Sequence, residues 1–369
     1  MTSTPDQARL TVKSPADLLA AVPYLLGFHP SDSVVVVAMR KRRLVFAARA
    51  DLPPAGAPPK EVTGAVGYLA AMVAHQDAGA ATVIGYGPAD SVDAVMPLVR
   101  DALRGRGIEI TELLRACEGR FWSYLCDNPE CCPPEGTPYD PATSPVAAAA
   151  TYAGQIALPD RTALVRQVAP IGGLTRESMR QATLRAEHRL SALLDESEPD
   201  DLLGRRALTM AGAAAVTTVL DRARSGDRPS DDEVAWLTLL LAHVDIRDSA
   251  WRQVSADDWQ VALWSDVVRR AEPDLVPAPA SLLAFAAWRV GHGALANVAL
   301  DRALREDPAY SLALLLRQVV DGGVPPSVVA DWPRAMRWGT ARGGPGRATG
   351  ERGSGGKRAG GRRRRAARR

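Results

Sequence analysis

The chain has 369 residues, 46% of them hydrophobic and 24% charged, the ordinary mix of a globular protein with enough length for about two domains. That balance excludes an intrinsically disordered chain, a collagen-like rod and a disulfide-dense mini-domain. The formal net charge of +3 is unevenly split: Thr340 to Arg369 carries eleven lysines and arginines against one acid, so the other 339 residues are net −7. Any electrostatic pull on nucleic acid or anionic lipid is therefore confined to the last thirty residues.

The opening MTSTPDQARL lacks the basic start and apolar run of a secretory signal, which predicts a cytoplasmic protein. Ser33 to Met39 (SVVVVAM) and Leu44 to Ala50 (LVFAARA), separated by the basic RKRR, predict an antiparallel strand pair. Lys60 to His75 has helical spacing through Val62, Val66, Leu69 and Val73, and Ala81 to Gly85 is a short buried strand. Ser91 to Leu103 predicts one further helix, with Val92, Val95, Met96, Val99 and Leu103 on a single face. Ile108 to Leu114 and Arg120 to Leu125 flank the turn ACEG and predict a closing hairpin. Together these elements predict an α/β domain on a mixed sheet.

After the proline-rich connector Asn128 to Pro145, strand signals give way to alanine-rich amphipathic segments, and seven of the eight tryptophans lie in this half. An all-α helical domain is predicted there. The longest charge-free stretch, Pro141 to Pro159, is interrupted by Pro145 and Gly154 and excludes a membrane span. Ser230 with Glu233 predicts a capping box at a helix start. Leu295, Ala296, Ala299, Leu300, Ala303 and Leu304 form an apolar stripe, with Asp301, Arg302, Arg305 and Glu306 expected opposite. Residues 281–290 and 294–306, joined by GHG, predict one αα-hairpin of tetratricopeptide type without the repeated copies a solenoid needs. The expected division is an α/β domain over residues 10–158, including the connector, a helical domain over 159–338, and a disordered Gly/Arg-rich tail over 339–369.

All four cysteines fall within sixteen residues, as C-x8-C-x4-C-C. Cys126, Cys131 and Cys132 are candidate zinc ligands, although the usual C-x2-4-C pairs are missing. A disulfide from Cys126 to either neighbour, or inert thiols that order the connector, are the competing readings. His29 and Ser33 sit in the loop GFHPSDS, which suits a turn or a ligand-binding loop; its residues lie too close along the chain for a hydrolytic relay. Arg49 and Asp51 end RADLP and form either an ion pair or a ligand grip. The turn GYGPAD after ATVI places a glycine turn between strand and helix, a candidate anion site or ordinary turn chemistry. Arg362, Arg363, Arg364 and Arg365 could bind nucleic acid weakly through phosphates, without an aromatic platform after Trp338.

The blocks SPADLLAAVPYLLGFHPSDSVVVVAM, RFWSYLCDNPECCPPEGTP, ALWSDVVRRAEP and LLAFAAWRVGHGALANVALDRALREDPAYSLALLL together resemble the actinobacterial domain-of-unknown-function family numbered forty-one ninety-two. The likeness runs over roughly residues 10 to 330, and its most specific pieces are PYLLGF and WSYLC with CCPPEGTP. It marks Gly27, Phe28, Pro30, Ser33, Arg49, Asp51, Trp122, Cys126, Cys131, Cys132, Pro133, Pro134 and Gly136, with Phe121 in place of the family's usual tryptophan and Cys117 outside the pattern. The resemblance implies no reaction.

No nucleophile with its base, phosphate loop or paired carboxylates is legible, so the expected function is that of a non-catalytic binding, regulatory or interaction protein with an unknown protein partner. The alternatives are a small-molecule enzyme whose cleft gathers His29, Arg49, Asp51 and the CDNPECC connector at the strand ends, and weak nucleic-acid association through the tail.

Overall fold

The computed structural model describes residues 12–41, 43–197, 201 and 204–329. The predicted tail, with Arg362 to Arg365, lies outside the described residues. The architecture is an α/β unit on a mixed six-stranded sheet followed by helices, as the sequence predicts.

The sheet order is β2-β1-β3-β4-β5-β6, with β1 (Ser33–Arg40), β2 (Arg43–Asp51), β3 (Ala80–Tyr86), β4 (Glu109–Cys117), β5 (Arg120–Ser123) and β6 (Thr137–Pro138). Only β3 and β4 run parallel; every other pair is antiparallel. Side chains alternate across a strand, so SVVVVAM feeds two cores. Val34, Val36 and Ala38 join one face, packed by α2 (Pro59–Ala74) and α4 (Met96–Arg104), while Val35 and Val37 join the other, packed by α1 (Pro15–Leu26). Burial on both faces is why this strand reads as a continuous apolar run.

Two differences from the predicted elements have clear causes. The helix expected over 91–103 is two pieces, α3 (Ala89–Val92) and α4, because Pro97 lacks an amide hydrogen and is accommodated in a helix's first turn but not its interior. Its five apolar residues are nevertheless all buried. Helix α1 is not among the predicted elements, although Ser14 caps it by accepting from the Asp17 amide and the Asp17 carboxylate accepts in return from the Lys13 amide. Pro23 inside the helix masks its periodicity.

The helical part runs through α5 (Pro145–Tyr152), α6 (Arg161–Arg166), α7 (Gly173–Asp195), α8 (Arg205–Arg224), α9 (Asp231–Leu240), α10 (Val244–Arg252), α11 (Asp258–Arg270), α12 (Pro277–Arg289), α13 (Gly293–Glu306) and α14 (Ser311–Asp321). The Ser230–Glu233 capping box forms as predicted at the start of α9. Trp236, Trp251, Trp264 and Trp288 are buried in the helical core, so these tryptophans serve internal packing. Arg302, expected opposite the apolar stripe of α13, is itself buried and pairs with Glu306 at 2.7 Å. Helices α12, α13 and α14 pack in succession, the hairpin being α12 with α13. The two parts are joined by Phe28, which leaves the loop after α1 and buries itself in the helical core, and by Tyr68 of α2, whose hydroxyl donates to the Asp321 carbonyl at 2.5 Å.

Candidate functional site

One row of residues crosses the sheet at a single edge: Asp51, Ser33, Tyr86, Ala116, Phe121 and Thr137 are successive partners on β2, β1, β3, β4, β5 and β6. This is the carboxyl end of the parallel pair β3 and β4, where open α/β sheets commonly place ligands. Three loops rise above it. The 27–32 loop follows Gly27, which ends α1 with φ 81°, and is tied down by the His29 amide donating to the Leu158 carbonyl and the Leu52 amide donating to Asp32. The β3–α3 turn is held by the Gly87 amide, which donates to the Ala116 carbonyl. The β4–β5 hairpin turns through Glu118 and Gly119, both with positive φ, the geometry a two-residue hairpin requires.

Between these loops lies a cleft of about 290 Å³ on the α1 side of the sheet. Its walls include His29, Asp32, Tyr86, Glu118 and Tyr139, with Cys117 at the end of β4. Among the described residues, no lysine or arginine lines it. Tyr86 is 7% exposed and its hydroxyl makes no hydrogen bond among the described residues. Burial, and after it the neighbouring Tyr139, hold that phenol well above its ordinary pKa, so it is a neutral donor at any physiological pH. The cross-strand neighbour Ser33 is fully buried, and its hydroxyl is likewise unpartnered. Buried polar atoms are nearly always hydrogen-bonded, so two adjacent orphans, one of them on a residue of the cleft wall, mark this strand end as a candidate polar site.

A second concavity of about 430 Å³ shares Ser31 and Asp32 with the first and is lined by Arg49, Asp51 and, from α6, Arg161, Thr162 and Val165. Arg49 donates to Asp51 at 2.7 Å and to the Ser31 carbonyl at 3.2 Å, and lies over the Phe28 ring. Asp51 is 78% exposed, so the pair by itself is worth at most about 1 kcal/mol. Thus His29 lines the first concavity, Arg49 and Asp51 the second, and Ser33, buried within the row, lines neither. The four candidates share one edge of the sheet without facing one space. Tyr86, Glu118 and Tyr139 were not singled out individually by the sequence; Tyr86 is the last residue of β3 and lies within GYGPAD, where it could have been found, whereas Tyr139 carries no local signal.

The thiols gather elsewhere. The Cys126 and Cys131 sulfurs are 3.1 Å apart and those of Cys131 and Cys132 are 3.8 Å apart, with all three within 4.8 Å of one another. All four cysteines are free, and Cys117 lies in the first cleft, apart from this cluster. The turn is built by Asn128, whose carbonyl accepts from the Cys131 and Cys132 amides and whose side chain accepts from the Glu130 amide. Trp122 pins the connector's far end: its indole donates to the Pro134 carbonyl, Arg115 stacks 3.7 Å from the ring centroid, and the ring covers Gly136 so closely that a Cβ there would sit 2.5 Å from it. Hydrogen bonds from the Cys131 and Cys132 thiols, and a backbone bond at Asn128, hold the Cys126 thiol below its usual range. Donation to Cys126 raises Cys131 and, joined by burial, pushes Cys132 up to about 12. Three convergent thiols of this kind could hold a metal. Cys126 lines neither concavity.

The family model of a domain of unknown function, DUF4192, matches residues 15–327. The chain belongs to that family. No curated protein and no solved structure matches it. The DUF4192 match takes in the sheet, the helices, the strand-end cleft and the thiol cluster, and it stops short of the basic tail. Several of the positions marked by the blocks of this DUF4192 chain build local structure: Gly27 ends α1, Phe28 fills the helical core, and Trp122, Pro134 and Gly136 form one packed unit. Among the described residues of the DUF4192 chain, no helix is long and apolar enough to cross a membrane.

Proposed function

We propose that the protein is a non-catalytic, cytoplasmic binding or regulatory protein whose ligand enters the strand-end cleft. The observation that carries this reading is Tyr86, a residue of the cleft wall whose buried hydroxyl has no hydrogen-bond partner among the described residues, a donor that a ligand's acceptor would satisfy on entering beside it. A space of about 290 Å³ suits a small molecule. The carboxylates of Asp32 and Glu118, with no lysine or arginine among the described lining residues, favour a ligand that is neutral or positively charged and rich in hydrogen-bond donors. The enzyme reading requires His29, Arg49, Asp51 and Cys126 to converge, and the absence of Cys126 from both concavities weighs against it. Ser33, Arg49 and Asp51 then act as the frame beneath and beside the cleft, with His29 at its mouth. We assign a metal to Cys126, Cys131 and Cys132, with zinc as the ion, and leave weak nucleic-acid contacts to Arg362 through Arg365. The boundaries 10–158, 159–338 and 339–369 serve as the working domain division.

Thermal-shift screening of the full chain against small amines and amides tests the cleft. A ligand at about a hundred times its dissociation constant stabilises the folded state by about 2.7 kcal/mol. The reading expects hits whose stabilisation is lost in Tyr86→Phe. Hits that Tyr86→Phe and Glu118→Gln leave unchanged would place the binding site elsewhere.

A further inference from the structure

Three protein sulfurs make an incomplete tetrahedral shell, and what completes it decides what the cluster does. Zinc sites closed by four protein ligands are structural, whereas sites with three keep an exchangeable position. Among the described residues, the group within ligand distance is Cys126, Cys131 and Cys132, with no histidine or carboxylate joining them. Cys117, the remaining thiol, is committed to the cleft at the end of β4. The shell is also open on one side, because Cys131 is exposed and Cys126 and Cys132 are only partly covered.

The loop holds the three sulfurs together before any ion arrives. Asn128 fixes the turn that presents Cys131 and Cys132, and the segment that leaves β5 after Ser123 carries Cys126 to within 3.1 Å of Cys131. The separation of 3.8 Å between Cys131 and Cys132 is the edge that two sulfurs about 2.3 Å from a tetrahedral ion would span. The Cys126–Cys131 separation, 3.1 Å, is longer than a bond and short of that edge, so ion binding needs only a side-chain adjustment there. Charge points the same way. Three thiolates around a divalent ion leave the complex net negative, and Asp127 and Glu130 add further negative charge within the same turn. A further anion is therefore disfavoured at the vacant corner.

Resting on the assignment of a metal to this cluster, we propose that Cys126, Cys131 and Cys132 hold zinc through three thiolates and leave its fourth position open to a neutral donor from solution, water or an imidazole. Each thiol gives up its proton to solvent as its bond to the ion forms. The site is thus an exchangeable three-thiolate centre on the rim of the sheet, separate from the cleft.

The test uses the full chain, purified under reducing conditions and shown by thiol titration to be reduced. Zinc is measured, then replaced by cobalt(II), whose absorption reports both thiolate bonds and coordination. The expected result is stoichiometric zinc, a thiolate-to-cobalt band in the near ultraviolet, and visible bands that move when imidazole is added. Cys131→Ser and Cys132→Ser should each lower the near-ultraviolet band by about a third, one thiolate of three, and Cys117→Ser should leave it unchanged. Circular dichroism of each variant shows whether it has folded. Cobalt bands that imidazole does not move overturn the open position and leave the metal assignment standing. Reduced protein with neither zinc nor a thiolate-to-cobalt band overturns both.

Discussion

Tyr86→Phe should make the folded protein more stable while weakening what the cleft binds. Tyr86 is 7% exposed, its ring packs with Leu18, Leu19 and Ile84 against α1, and its hydroxyl has no partner. Phenylalanine keeps the ring contacts and removes only the oxygen. An unsatisfied buried polar group costs about 1–3 kcal/mol, so the substitution should stabilise by an amount of that order. For a cooperative unit of about 150–250 residues, each kcal/mol moves the melting temperature by about 2–4 °C, which puts the rise within reach of calorimetry. Ser33→Ala, across the strand pair, should also be neutral or stabilising, because its hydroxyl is orphaned too. The two residues are neighbours, so their effects need not add. The assay is paired: urea unfolding for stability, and binding of a thermal-shift hit for function. A Tyr86→Phe protein that loses about 1 kcal/mol or more would show that the hydroxyl already serves the fold, and the argument from an unfilled donor would fail.

Three further outcomes follow from the same structure. Arg270 is 1% exposed and bonds Asp231 at 2.8 Å, Asp266 at 2.5 Å and the Pro229 carbonyl at 2.8 Å, so Arg270→Met should cost about 3–5 kcal/mol in urea unfolding by removing the buried cation that Asp231 and Asp266 share, leaving them Ser178 and Arg228; a loss under about 1 kcal/mol would contradict a structural role. Burial raises the Asp231 carboxyl, but hydrogen bonds from Ser178 and Arg270 outweigh it and hold it below the ordinary carboxylate value. The native state then binds fewer protons than the unfolded state, so its contribution is complete above about pH 4 and is lost as the pH falls below that; Asp231→Asn should flatten this limb of the stability curve, and an unchanged limb would refute the assignment. Deleting residues 340–369 should abolish any retention on nucleic acid, retention that in the full chain weakens steeply with salt; salt-insensitive binding by the truncated protein would oppose the tail as its source.

Sheet and helices were legible because their signals are local. SVVVVAM alternates into two cores, LVFAARA turns Phe46, Ala48 and Ala50 into one of them, and Ser230 and Glu233 announce a helix within four residues. Helix α1 escaped because Pro23 interrupts its pattern, and the break before α4 because the five apolar residues stay in phase across Pro97. The buried Arg302 shows that a charged residue on a helix's expected outer face can still be covered by a neighbouring element, which no local pattern records. The site was half legible. His29, Arg49 and Asp51 were expected near the strand ends and do lie at one edge of the sheet, but the separation into two concavities depends on where α6 and the β4–β5 turn arrive. Tyr86 and Tyr139 are 53 positions apart in sequence and meet only through the strand order, so no spacing rule could pair them. The thiol cluster was visible as spacing, and only the Asn128 turn shows that three of the four sulfurs converge.

The most direct test of a binding role for the strand-end cleft is the position of a bound fragment in crystals soaked with small amines and amides. Density between Tyr86, Glu118 and Tyr139, with an acceptor atom within hydrogen-bond distance of the Tyr86 hydroxyl, is the predicted result. Fragments that settle only in other places, with this space empty at saturating concentration, would contradict it.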